Sequence, residues 1–238
     1  MIEISLWRNA TDLSVLASLR LEDLDKLQGK RVIETQQKNI VVNDIEEVWK
    51  YFSTLQDAQI DIVLDNAGTA FYERLLMTGF EVFVDVFLAA YFLEIGAAKT
   101  IVCHPKDFGW FVSDVIPDDF DSLFELLEDE SIVNTQQQRE DLRFLRQRWL
   151  QFYKSGQIQV RQDSFWTTAH PFWRMPSFAP ELYKALQTSD LVIYKGDLNY
   201  RKLVEDVFPV VNMANFRRGG RELQSSLMHS VHSGEEVG

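Results

Sequence analysis

The feature that most restricts how this chain can fold is a set of short runs that stay apolar at nearly every position, IDIVLD at 60–65 and KTIVCH at 99–104 foremost. A strand with one wet face alternates apolar with polar residues. A strand covered on both faces has no need to, and such double cover belongs to parallel sheets flanked by helices. IEISLW (2–7), QIQVR (157–161) and DLVIYKG (190–196) complete the expected strands. Between them, apolar residues recur at helical spacing: Ile45, Val48, Trp49 and Phe52, then Phe80, Phe83, Val84, Phe87 and Tyr91, then Leu142, Leu145, Trp149 and Phe152. The order is strand, helix, strand, helix, strand, helix, strand, then a Trp-rich loop and a last strand. It predicts an α/β layered fold with a mostly parallel sheet.

With 238 residues, 46% of them hydrophobic and 13% aromatic, the chain can bury a sizeable core. Its 36 Asp and Glu against 24 Lys and Arg leave a formal net charge of -12. Such a surface repels a nucleic-acid backbone, so no nucleic-acid partner is expected. Cys103 is the single cysteine, so no internal disulfide can form, and a reducing compartment is the expected setting, cytoplasm first and nucleus second. The N-terminus has no basic segment followed by a long apolar run. The most apolar later stretch is broken by Asp85 and ends at Glu94, so no signal peptide and no membrane partner are expected.

In open parallel α/β sheets, ligands collect outside the carboxyl ends of the strands. Asp65 and Asn66 follow one such run, Asp114 follows the aromatic WFVS at 110–113, and Lys195, Gly196 and Asp197 follow LVIY. Two carboxylates and an amide oxygen suit a hard divalent cation such as magnesium or manganese, and a nearby lysine suits a phosphate. Plainer readings stand beside these. Asp65-Asn66 can cap a helix or form a turn, Asp114 can cap a helix starting near Asp118, and Lys195-Gly196-Asp197 can be a simple turn. Lys202 reads as a solvated surface charge. His104 and His170 read as ordinary structural or polar-network residues, Cys103 as a small buried hydrophobe, and Trp166 and Trp173 as loop packing.

Several ordered segments together resemble one family: LWRNATDL (6–13), IDIVLDNAG (60–68), GFEVFVDVFLAAYFL (79–93), HPKDFGWFVSDV (104–115), SFWTTA (164–169) and LVIYKGDLNYRKL (191–203). They are similar to the DUF89 damage-control phosphatases, most of all to subfamily III, the sugar-phosphate phosphatases. The resemblance covers residues 1–205 as a catalytic core and leaves 206–238 as a divergent, partly disordered tail. It implies a Rossmann-like α/β/α sandwich. It also implies a divalent metal ion (manganese, magnesium, nickel or cobalt) on Asp65, Asn66 and Asp114, with Asp65 and Asp114 catalytic. The substrate residues it implies are Asn9, Glu81, Lys195, Gly196, Asp197, Leu198 and Asn199. Fructose 1-phosphate and fructose 6-phosphate, small phosphorylated sugars, are the implied substrates.

Three departures from the family pattern bear on activity. The family has a long helical region before its LWxN segment, whereas this sequence begins five residues ahead of it. Relatives read DNxGFE, whereas here Glu81 lies sixteen positions after Asp65, as though TAFYERLLMTG (69–79) were inserted. Extending a helix by that much would shift Glu81 by roughly 16 Å along its axis, so the insert is expected to loop out between Gly68 and Gly79. Finally, the family's RTxK lysine, which reaches the substrate phosphate, has no counterpart after residue 206. Two other functions therefore stay open: a truncated, non-catalytic remnant that only binds metal or ligand, and S-adenosylmethionine-dependent carboxyl methyltransfer on protein glutamate.

Overall fold

A computed structural model of the chain describes residues 44–64, 74–110, 114–129, 131, 133 and 135–204. The expected strand at 2–7, Asn9, the Asp65-Asn66 pair and the tail from 205 lie outside the described residues.

Four described strands, β1 (Ala58–Val63), β2 (Ala98–His104), β3 (Ile158–Val160) and β4 (Leu191–Tyr194), form one parallel sheet in the order β3-β2-β1-β4. The fold is α/β and Rossmann-like. Every strand coincides with an expected apolar run, trimmed or extended by one to three residues. The chain steps outward from β1 to β2 to β3, then crosses back to place β4 on the other side of β1. That reversal puts a topological switch point between β1 and β4, the position where α/β sheets open a crevice for ligands.

Helices α1 (Ile45–Phe52), α2 (Arg74–Glu94), α3 (Asp118–Leu126) and α4 (Gln136–Lys154) supply one face. Because strand side chains alternate, Ile60 and Ile62 of β1, Leu64 just beyond it, and Ile101 and Cys103 of β2 share that face. There they join Phe92, Phe120, Leu123, Trp149 and Phe152. Trp149 is held between Phe83 and Phe87, with ring centroids 5.0 and 6.0 Å away. The start of α4 is fixed by a reciprocal capping box: Thr135 accepts from the Gln138 N–H, and the Gln138 side chain accepts from the Thr135 N–H.

The Trp-rich segment expected as loop is instead two short 3₁₀ turns (Ser164–Thr167 and Phe172–Arg174) running into α5 (Met175–Phe178) and α6 (Pro180–Gln187). Asp163 caps the first turn by accepting from the Phe165 N–H, and Pro180 opens α6 at a position where a missing N–H costs nothing. Phe165, Trp166, Phe172, Met175, Leu182 and Leu186 pack with Val63 as a second apolar cluster on the other face of the sheet. Helix α7 (Asp197–Val204) leaves β4 through Gly196, whose φ of +83° is a left-handed conformation that glycine takes without strain.

The described half of the supposed insert also departs from expectation. Residues 74–79 are the first turns of α2, continuous with the stripe that follows, so this portion extends the helix rather than looping out. Glycine 79 lies inside that helix and costs it only about 1 kcal/mol relative to alanine, which cooperative packing of the remaining turns absorbs. Among the described residues no helix is long and apolar enough to cross a membrane.

Candidate phosphate and metal site at the strand ends

The carboxyl ends of β1, β2 and β4 meet at the switch point, and hydrogen bonds knit the segments leaving them. The ladder runs past the strands: Leu64 N–H donates to the His104 carbonyl at 3.0 Å, and Lys195 N–H to the Val63 carbonyl at 3.0 Å. Asn199, fully buried on the first turns of α7, uses its carboxamide nitrogen twice. It donates to the Leu64 carbonyl at 2.9 Å and to the Lys195 carbonyl at 2.7 Å. Its carboxamide oxygen accepts from the Lys106 ammonium at 3.2 Å. Asn199 therefore fastens the exits of β1, β2 and β4 to one another, and Leu64 is the residue that leads into Asp65.

Lys106 follows β2 by two residues and is fully buried. Its backbone N–H donates to the Val115 carbonyl at 2.8 Å, which fixes the adjacent Asp114 at the same end of the sheet, itself buried. The capping role open to Asp114 is not the one it has. Pro117 stands at the N-cap of α3 with no side-chain cap, and Asp119, not Asp114, accepts from the Ile116 N–H.

Lys195 is buried and ion-paired with the carboxylate of Asp85, which projects from α2. This explains the polar residue that interrupts the most apolar stretch of the sequence. Lys202, expected as a solvated charge, is instead buried. Its ammonium donates to the carbonyls of Thr168 at 2.9 Å, Trp166 at 3.3 Å and Phe165 at 3.4 Å, beneath the rings of Phe165 and Phe172. Burial, with the positive charge of Lys106 second, pushes its pKa down to about 8. The reason for the misreading is helical phase. On α7, Lys202 lies three residues after Asn199, on the face turned to the sheet.

Of the expected site residues, the structure brings Asp114, expected as a catalytic metal ligand, to the same end of the sheet as Lys195 and Asn199, expected to line the substrate site. It does not bring in Asp197, whose half-exposed carboxylate faces Arg201 at 3.6 Å on the outer side of α7. Gly196 and Leu198 are half-buried beside them. Glu81 lies on α2, and its side chain, like Asn9, Asp65 and Asn66, lies outside the described residues.

One layer beneath, on the Trp-loop face of the sheet, Asp61 and His104 are both fully buried and joined at 2.6 Å between Oδ1 and Nε2. Asp61 also accepts from Gln59 Nε2 at 3.0 Å and from the Ser189 hydroxyl. Burial alone would raise its pKa, but the hydrogen bond and charge of His104, with those of Gln59 and Ser189, hold it below the ordinary carboxylate range. Trp166 packs edge-on against His104 at 5.4 Å. His104 is thus a polar-network residue, as expected, and His170 stacks on Phe178 at 3.8 Å.

Of the expected metal ligands only Asp114 lies among the described residues, a buried carboxylate of the oxygen-donor kind that a hard divalent cation takes. Of the softer donors, His104 uses Nε2 for Asp61 while its Nδ1 is buried with no hydrogen-bond partner, and the Cys103 thiol lies on the helical face, where burial pushes its pKa up and disfavours a thiolate. Among the described residues alone, no group of three His, Cys, Asp or Glu side chains is placed to hold a metal ion.

A family model for the damage-control phosphatase ARMT1-like domain matches residues 1–210. This chain belongs to that family. It is 35% identical over 214 residues to the zebrafish damage-control phosphatase ARMT1, covering 87% of this chain and 43% of that protein. Against the proteins of the same name from Xenopus tropicalis and human, identity is 34% over 221 residues and 30% over 213, in each case 87% of this chain and 44% of the relative. The chain thus spans less than half the length of these ARMT1 relatives. Sequence reasoning found the family and the KGDLN segment but missed Lys106, Asp85 and the burial of Lys202. A lysine two residues past a strand end, and a lone Asp inside an apolar stripe, were the available signals.

Proposed function

We propose that this chain is a metal-dependent phosphatase acting on small phosphorylated sugars, fructose 1-phosphate and fructose 6-phosphate among them. The observation that carries this reading is the convergence, at the switch point of a damage-control phosphatase family fold, of the buried Asp114 with the buried Lys106, Lys195 and Asn199. A divalent cation held by Asp65, Asn66 and Asp114 would supply the charge that a transferring phosphoryl group needs. The chain's own residues do the rest. Asn199 keeps three loops in register, the lysines offset phosphate charge, and burial excludes water that would weaken those interactions.

Asp65 is the residue on which turnover depends in this reading, since a nucleophile, a general base and a ligand all require an ionised carboxylate there. The test is phosphate release from fructose 1-phosphate by the purified chain with manganese, magnesium or no metal, beside Asp65→Ala. Metal-dependent release that the substitution abolishes supports the phosphatase. A folded preparation that releases no more phosphate than Asp65→Ala refutes it and leaves a binding remnant. Binding of S-adenosylmethionine without phosphate release would favour methyl transfer instead.

A further inference from the structure

We propose that Trp110 determines substrate specificity: its ring is the platform on which the carbon skeleton of a phosphorylated sugar lies, backed by the ammonium of Lys202. The inference rests on the phosphatase reading and adds the part of the site that meets the sugar instead of the phosphate. The chain that leaves β2 returns to where it left, because Lys106 N–H donates to the Val115 carbonyl at 2.8 Å. It is pinned again one residue on. There the Gln162 carboxamide nitrogen donates to the backbone carbonyl and to the carboxylate of Asp107, at 3.1 and 2.6 Å. Phe108 and Trp110 follow, 55% and 37% exposed, with Trp110 four positions after Lys106 and four before Asp114. Two large rings are thus carried toward solvent from a fixed base that holds charged groups of the site.

What sets Trp110 apart is its backing. The Lys202 ammonium lies over its ring, 5.9 Å from the centroid, and is itself fixed by the carbonyls of Phe165, Trp166 and Thr168. A cation at that distance attracts the ring, so Trp110 is steadied on its protein side by a charge that is held in place. Lys202 lies three residues after Asn199 on the same face of α7, and the ring it backs therefore borders the buried polar group at the strand ends. The phosphate end of a substrate belongs with Asp114, Lys195 and Asn199, all buried, and the rest of the molecule extends outward from them. A sugar carries hydroxyls at its rim and patches of C–H on its faces. A steadied aromatic ring covers such a patch with a large contact at little entropic cost, and the contact takes the exposed part of the ring out of water. Selectivity for a sugar skeleton over bare phosphate then comes from Trp110 and not from the groups that hold the anion.

The test is steady-state hydrolysis of fructose 1-phosphate by the full 238-residue chain in manganese, with inorganic phosphate as a competing inhibitor. Trp110→Ala is expected to raise KM about fivefold or more, to leave kcat within about twofold and to leave the inhibition constant of phosphate unchanged. Trp110→Phe, which keeps a flat ring, is expected to stay within about twofold of wild type in all three constants. Phe144→Ala, which removes an exposed ring from α4, is expected to change none of them. Trp110→Leu, which keeps apolar bulk without a flat face, serves if the alanine variant fails to fold and must raise KM as well. A folded Trp110→Ala or Trp110→Leu chain whose KM stays within about twofold of wild type overturns the inference, and so does one in which the inhibition constant of phosphate rises as much as KM. If the wild-type chain releases no phosphate, calorimetric binding of fructose 1-phosphate and of inorganic phosphate takes the place of the kinetic constants. Sugar-phosphate binding that depends on Trp110 without hydrolysis would defeat the phosphatase reading and leave this one standing. Hydrolysis with an unchanged KM in Trp110→Ala would do the reverse, and a wild-type chain that neither hydrolyses nor binds a sugar phosphate overturns both.

Discussion

Replacing Lys195 by methionine removes an ammonium while keeping a chain of similar length, and the structure sets the size of the consequence. The side chains of Lys195 and Asp85 are 8% and 4% exposed, so the carboxylate left behind has little water to turn to. Breaking a buried pair from one side costs about 3–5 kcal/mol, a large share of a net stability of about 5–15 kcal/mol. In urea, with a slope of about 3 kcal/mol/M for a domain of this size, the unfolding midpoint should fall by roughly 1–2 M. Asp85→Asn should be costly by the same logic, because it strands the ammonium. The double variant Asp85→Leu/Lys195→Met, apolar at both ends, should recover most of the loss. The cycle built from Asp85→Leu, Lys195→Met and the double variant would then give a coupling energy of about 5 kcal/mol or more, the two single losses less the small double one. A loss below about 1 kcal/mol for Lys195→Met, additive with Asp85→Leu, would refute the reasoning. It would mean that water reaches the pair and that Lys195 is available to a ligand.

Two further predictions concern pH. Because the folded-state pKa of Asp61 lies below its unfolded value, this carboxylate contributes stability above about pH 4 that is lost as pH falls through the folded value. Asp61→Asn should therefore cost about 1–3 kcal/mol at neutral pH and progressively less in acid, as urea midpoints at several pH values would show; a penalty independent of pH would refute the assignment. Lys202 titrates near pH 8 when folded and near pH 10.5 when unfolded, so over that window the unfolded chain binds more protons. Its contribution to stability should rise with pH there, and Lys202→Met should flatten the thermal midpoint's pH dependence over that range; an unchanged slope would count against a buried ammonium.

How much of this was legible beforehand follows from what each feature depends on. The strands could be read because double cover leaves a mark in the strand itself, a run such as KTIVCH that needs no knowledge of its partner. The stripe through Phe83, Phe87 and Tyr91 could be read for the same reason, since an amphipathic helix carries its own period. The Trp-rich segment could not. Its turns have no period, and what orders them is local capping by Asp163 and burial of Phe165, Trp166 and Phe172 under α7. Only the Ala179-Pro180 start of α6 was written in the sequence as a helix signal, and it went unread.

Charged residues were the hardest to place, because burial of a charge is decided by a partner far away in sequence. Asp85 and Lys195 are 110 residues apart, Lys106 and Asn199 are 93, and Lys202 meets carbonyls 34 to 37 positions before it. A motif read along the chain gives KGDLN as one unit with one task. Folded, the unit divides: Lys195 turns to α2, Gly196 makes the bend, Asp197 faces Arg201 on the outside, and Asn199 turns inward to bind three loops. The ammonium that Asn199 then presents comes from a different strand end altogether. A motif read along the chain therefore groups residues whose partners, once the chain is folded, come from α2, from the outer surface and from three different strand ends.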